Sequence, residues 1–149
     1  MAKKKAKRKK KTPNWKKKAD EQWSLLIRLK HGKCQMCNKA GVMTKKGLLV
    51  GGLNAHHVIG RSNLKYRHDL RNGQCLCIRC HHFSPTCSPH AGSVVGIIAY
   101  ADWMKDGVPE QWAWFDENKL ERGRSELSFE EIYNILKEKV EQKDFEIVY

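Results

Sequence analysis

Trp15, Ala19, Trp23, Leu26 and Ile27 recur at the three- and four-residue spacing of one helix face, and Gly32 follows to stop the helix. Thr12 is the expected N-cap and Pro13 the first helical residue. Both tryptophans are expected in the core. From Val42 to Ile59 the pattern becomes strand-like, with Lys45-Lys46-Gly47 as a turn and Gly51-Gly52 as a bend or bulge. Residues 60–71 form a polar loop. The stretch NGQCLCIRCHH then returns to a short strand and opens a helix. Beyond it lie an apolar helix in SVVGIIAYADWMKDG, closed near Gly107, and a shorter one in PEQWAWFDENK. The last helix, SFEEIYNILKEKVEQ, begins with Ser128 and Glu131 at capping-box spacing and carries Ile132, Ile135, Leu136 and Val140 on one face. No segment repeats another.

Charge divides this chain of 149 residues into three. Residues 1–18 hold eleven basic side chains and no acid: Lys3, Lys4, Lys5, Lys7, Arg8, Lys9, Lys10, Lys11, Lys16, Lys17 and Lys18. The first part of this block cannot bury apolar surface, so residues 1–12 are expected to be a disordered basic tail. Residues 19–101 remain basic, whereas residues 102–149 carry 13 acids against 7 bases. With a net charge of +13, the first two parts point to a nucleic-acid partner, and the acidic end is a surface for a protein partner instead. No apolar run approaches the roughly 20 residues of a membrane span, and none follows the basic N-terminus as in a secretory leader. A cytoplasmic protein with reduced thiols is therefore expected, with no membrane partner.

The six cysteines include two Cys-x-x-Cys pairs, Cys34 with Cys37 and Cys77 with Cys80. Two thiolates on one tight turn reach the same ion, and two such turns close a tetrahedral site for structural Zn²⁺. Four thiolates leave no open position, so this metal supports folding rather than chemistry. Cys75 lies two residues from Cys77 and could also approach; Cys77 is favoured because it has the paired partner. Cys87 is expected to be an ordinary thiol.

Seven histidines remain for other work. His56 and His57 are adjacent in a strand-like segment, which sends their rings to opposite faces. His81 follows Cys80 directly, so the zinc turn would hold it rigidly. His68 and His90 are expected to be structural.

These residues, AHHVIGR at 55–61, Asn72 within DLRNGQCLC and His81 within CIRCHH, together with the paired cysteines, resemble the HNH endonuclease family in its zinc-stapled, phage-type branch. The resemblance covers residues 34–82. It implies a ββα-metal core, with two strands and a helix around one divalent cation. It further implies that His57 is the general base, that His56 and His81 ligate the cation, and that Asn72 orients the base or braces its loop. The cation would be Mg²⁺, Mn²⁺ or Ni²⁺, since imidazole ligands leave positions for water and phosphate. Whether His82 or no protein group supplies a third ligand stays open. Arg61, Arg67 and Arg71 flank the expected groove as candidate phosphate clamps.

The expected fold is α+β: a small ββα-metal core with a four-cysteine zinc, an N-terminal helix and a C-terminal helical extension. The nuclease domain would span 13–90 and the extension 91–149. The expected activity is metal-dependent hydrolysis of DNA phosphodiesters, in the host-cell cytoplasm if the chain is phage-encoded. The alternatives are a non-catalytic zinc-stabilised nucleic-acid-binding module and an accessory protein of phage packaging or recombination.

Overall fold

The computed structural model describes residues 12–149, so Lys3, Lys4, Lys5, Lys7, Arg8, Lys9, Lys10 and Lys11, and the expectation of a disordered tail, lie outside the described residues. Helix α1 spans Trp15–His31. Its cap is Asn14, not Thr12: the Asn14 side chain accepts from the Lys17 backbone N–H at 3.1 Å, which leaves Pro13 just outside the helix. Ala19, Trp23, Leu26 and Ile27 are its buried face, and Gly32 ends it in the left-handed region.

The strands form two small antiparallel sheets. β1 (Val42–Met43) pairs with β2 (Leu49–Gly51), and β3 (Leu53–His57) pairs with β4 (Gly73–Cys77). The second ribbon aligns Leu53 with Cys77, Ala55 with Cys75 and His57 with Gly73. β4 is buried along its whole length because α1 lies against it. A Cβ at Gly73 would stand 2.3 Å from the Ile27 side chain, so only glycine lets strand and helix approach this closely.

After β4 the chain makes one wide helical turn, Arg79–Phe83, where a helix was expected to open. Ser84 and Pro85 lead away into a loop, because proline cannot donate the next helical hydrogen bond. The long helices come later: α2 (Val94–Gly107), α3 (Pro109–Asn118) and α4 (Phe129–Gln142). α4 starts with the anticipated capping box, Ser128 and Glu131 satisfying each other's backbone N–H groups. Its Ile132 and Leu136 join Trp23, Leu26, Ile27, Leu53 and Leu76 in one core, and Tyr133 meets Trp15 with ring centroids 5.4 Å apart. The first and last helices of the described chain thus share a hydrophobic core. α3 contributes Trp114 to a smaller cluster with Ile59 and Tyr66. The fold is α+β. No helix among the described residues is long and apolar enough to cross a membrane.

Candidate metal centres and the adjoining cleft

Two turns bring the four cysteines together. Cys34 begins a turn closed by Cys34 N–H to the Lys39 carbonyl at 2.8 Å and Asn38 N–H to the Cys34 carbonyl at 2.9 Å. Asn38 occupies the left-handed region at φ 60°, which asparagine tolerates. Gln35 docks this turn on β4: its N–H donates to the Cys75 carbonyl at 2.9 Å and its Oε1 accepts from the Cys75 N–H at 2.7 Å. The second turn runs off the end of β4 from Cys77 to Cys80. The sulfurs of Cys34, Cys37, Cys77 and Cys80 all lie within 4.8 Å of one another. Cys37 and Cys77 are 3.7 Å apart. Tetrahedral thiolates at about 2.3 Å from zinc stand about 3.8 Å from each other, so the cluster fits such an ion. Burial works to raise the Cys77 thiol, but the Cys80 N–H and the neighbouring thiols overcome it and bring the group down to about 7. Cys75 stays out of the cluster in the core, where burial pushes its thiol up to about 12.

His56 and His57 leave β3 in opposite directions. His56 turns toward α2 and meets His81 and Tyr100, whereas His57 lies flat on Trp23 of α1, centroids 3.8 Å apart and planes 13° from parallel. His56 Nδ1 is 3.2 Å from His81 Nε2. A third ring completes the group: His56, His81 and His90 offer ligand atoms within 4.8 Å of one another. Adjacent ligands of an octahedral ion at about 2.1 Å sit about 3 Å apart, so the separation of His56 Nδ1 and His81 Nε2 suits a small divalent cation. His81 Nδ1, the ring nitrogen other than the one that meets His56, is buried without a hydrogen-bond partner. Burial, and then the neighbouring histidines, lower His56 to about 2 and His81 to about 4. Both rings are therefore neutral near pH 7, as imidazole ligands must be.

His90, expected to be structural, stands beside His56 and His81 with its ligand atom within 4.8 Å of theirs. Ser88 brings it there. The fully buried Ser88 hydroxyl donates to the His81 carbonyl at 2.8 Å and accepts from the His90 N–H at 3.2 Å. Gly96 of α2 lets the loop lie close, since a Cβ there would meet Ala91 Cβ at 2.5 Å and the Pro85 carbonyl oxygen at 2.7 Å. His82 stacks on His90 with centroids 5.2 Å apart and stays exposed, outside the group of three.

A cleft of about 480 Å³ opens beside these rings, lined by Ala55, His56, His57, Gly60, Arg61, His81, His82 and His90. His57 Nε2 lies 2.8 Å from the Arg67 carbonyl oxygen. A carbonyl only accepts, so Nε2 carries the proton and Nδ1 keeps its lone pair. Burial lowers this ring to about 4 against the opposing pull of the Arg67 carbonyl.

The remaining expected site residues lie elsewhere. Asn72 is wholly buried and does not border the cleft. Its Oδ1 accepts from the Ile59 N–H at 2.6 Å, and its Nδ2 donates to the Ile59 and Tyr66 carbonyls at 2.9 Å each. It therefore braces the 58–71 loop and lines neither the histidine group nor the cleft. Arg67 is no free phosphate clamp: its buried guanidinium forms a two-point ion pair with Asp20 of α1, both bonds 2.7 Å. Arg71 is likewise turned away, bonded to Asp69 at 3.0 and 2.7 Å and lying over the Trp114 ring. Only Arg61 of the three faces the cleft, and it is exposed.

No family model, curated protein or solved structure matches the chain.

Proposed function

We propose that the chain is a metal-dependent DNA endonuclease of the HNH type, with the zinc-stapled β3–β4 ribbon and the turn at His81 as its ββα-metal core. The observation that carries the proposal is the convergence of His56, His81 and His90, from three separate segments, beside an open cleft that His57 also borders. His56 and His81 are buried and His90 is exposed, so the group meets solvent along the cleft.

In this reading His56, His81 and His90 hold Mg²⁺, Mn²⁺ or Ni²⁺. The bound ion would supply charge stabilisation at the nonbridging and leaving oxygens. The protein's own part is proton transfer and orientation. His57, with Nε2–H committed to the Arg67 carbonyl, accepts a proton from the attacking water at Nδ1. Water oxygen bonds to phosphorus, the bond to the leaving sugar oxygen breaks, and that oxygen takes a proton from solvent. Arg61 meets a phosphate at the cleft rim. The basic N-terminal residues add affinity for any sequence, which falls steeply as salt rises.

The test is supercoiled plasmid incubated with Mg²⁺, Mn²⁺, Ni²⁺ or EDTA, wild type beside His57→Ala. Metal-dependent nicking that drops by roughly 10²–10⁴-fold in the variant supports the proposal. Binding of plasmid without cleavage under every metal refutes it and leaves a zinc-stabilised nucleic-acid-binding module.

A further inference from the structure

Helix α1 lies outside the stretch that carries the family resemblance, yet it reaches the base at two points. Trp23 covers one face of the His57 ring, and its Nε1–H donates to the Asp69 carbonyl at 3.0 Å. Asp20, one turn earlier, accepts from Arg67 Nε and Nη2 at 2.7 Å each and from His68 Nε2 at 2.8 Å. Arg67 is also the residue whose carbonyl accepts the His57 Nε2–H. The hydrogen bond that sets the His57 tautomer is thus borne by a residue whose side chain is anchored on α1.

Resting on the nuclease reading, we propose that Asp20 is a positioning residue for the reaction: through Arg67 it fixes the tautomer and orientation of His57. The guanidinium is 9% exposed and needs a counter-charge where it sits. The two parallel bonds to Asp20 supply that charge and a fixed plane. Without the carboxylate the buried cation moves toward water, and the backbone of residue 67 moves with it. His57 then loses its acceptor, its two tautomers interconvert, and the lone pair that must receive the proton is no longer held in place. Trp23 restrains the ring plane but cannot choose which nitrogen carries hydrogen. A stacked face and a directed Nε2 bond together leave the ring one orientation. Asp20 itself touches neither substrate nor cation in this arrangement.

The experiment uses the full zinc-loaded chain and compares Asp20→Asn, Asp20→Glu, Arg67→Met and the double variant Asp20→Asn/Arg67→Met. Leu136→Ala, in the core on α4, serves as a destabilised control. Plasmid nicking gives kcat and KM. Nitrogen–proton NMR, recorded without the exchangeable cation, follows the hydrogen-bonded ring N–H assigned by its loss in His57→Gln. Asp20→Asn is expected to lose kcat by roughly 10–100-fold, with KM within about twofold, and to lose the ring signal. Asp20→Glu restores most of both. The double variant is no worse than Arg67→Met, because the two residues act in series. Leu136→Ala melts earlier but keeps the signal and kcat. If Asp20→Asn does not fold, Arg67→Lys, which keeps the charge and loses the two-point plane, carries the same expectation. An Asp20→Asn protein with unchanged kcat and ring signal overturns the proposal, as does equal loss of both in Leu136→Ala. If the wild type does not cleave at all, the nuclease reading fails while the ring signal still decides whether Asp20 holds His57.

Discussion

The cysteine cluster and the histidine cluster are neighbours, joined through the peptide bond between Cys80 and His81, and they differ in almost every physical respect. The cysteines come from two tight turns, one seated on β4 by Gln35 and one running off its end. The histidines come from three segments: the end of β3, the wide turn and the loop before α2. Four thiolates close a shell around an ion, whereas three neutral rings leave half of an octahedral shell to the cleft. A closed thiolate shell suits a staple of the fold; in the proposed function the open group of rings meets the substrate. A single short segment, residues 77–83, carries Cys77, Cys80 and His81, so whatever fixes the thiolates also fixes the start of the His81 turn.

That contrast is broken most drastically at the thiolates. Cys77→Ser, or stripping zinc with a strong chelator, removes a contribution on the order of 10 kcal/mol. The cooperative thermal transition is expected to disappear, followed by far-ultraviolet circular dichroism. The open site responds differently. On the nuclease proposal, His56→Ala abolishes binding of a second cation and cleavage together, while the melting curve of the zinc-loaded protein stays cooperative. Asn72→Ala lies between the two, since it strips three hydrogen bonds from a buried loop without touching either ion. A loss of about 2–4 kcal/mol in chemical denaturation is expected, with zinc content unchanged.

The smallest effect sharpens the comparison through pH. Burial tends to raise the Asp20 carboxyl, but hydrogen bonds and charge from Arg67 and His68 hold it well below its ordinary value of 3.8. A carboxylate depressed by folding adds stability that is complete above its unfolded pKa and fades as pH falls below it. The melting-temperature gap between wild type and Asp20→Asn should therefore be constant from pH 7 to about 5 and narrow below about pH 4. The comparison is confined to the pH range in which both proteins keep their metal and a cooperative transition. A gap that did not narrow below about pH 4 would show that Arg67 and His68 do not engage the carboxylate.

How much of this was legible in the sequence follows from the range of each interaction. The Cys-x-x-Cys turns and the Ser128–Glu131 box are local, and spacing alone announces them. His56, His57 and His81 sit on or beside the β3–β4 ribbon, whose pairing the strand pattern supports. His90 was not legible. Its position depends on Ser88 reaching back to His81 and on Gly96 admitting the loop, and neither leaves a periodic trace. Arg67 carried a plausible role at the groove because its partner, Asp20, lies 47 residues away on another element. The helix expected to open after β4 is a single wide turn because Pro85 cuts the segment short. α2 shows the limit of hydrophobic patterning: Tyr100 and Met104 are buried, yet Val94, Val95, Ile97 and Ile98 are all exposed.

The central claim is that two metal sites of different kind share one turn. Calorimetric titration of Ni²⁺ or Mn²⁺ into the full chain already loaded with one tightly held zinc tests it most directly. One further ion per chain, lost in His56→Ala while the zinc is retained, is the predicted result. A protein that binds no second ion, or binds it equally well without His56, would contradict the account.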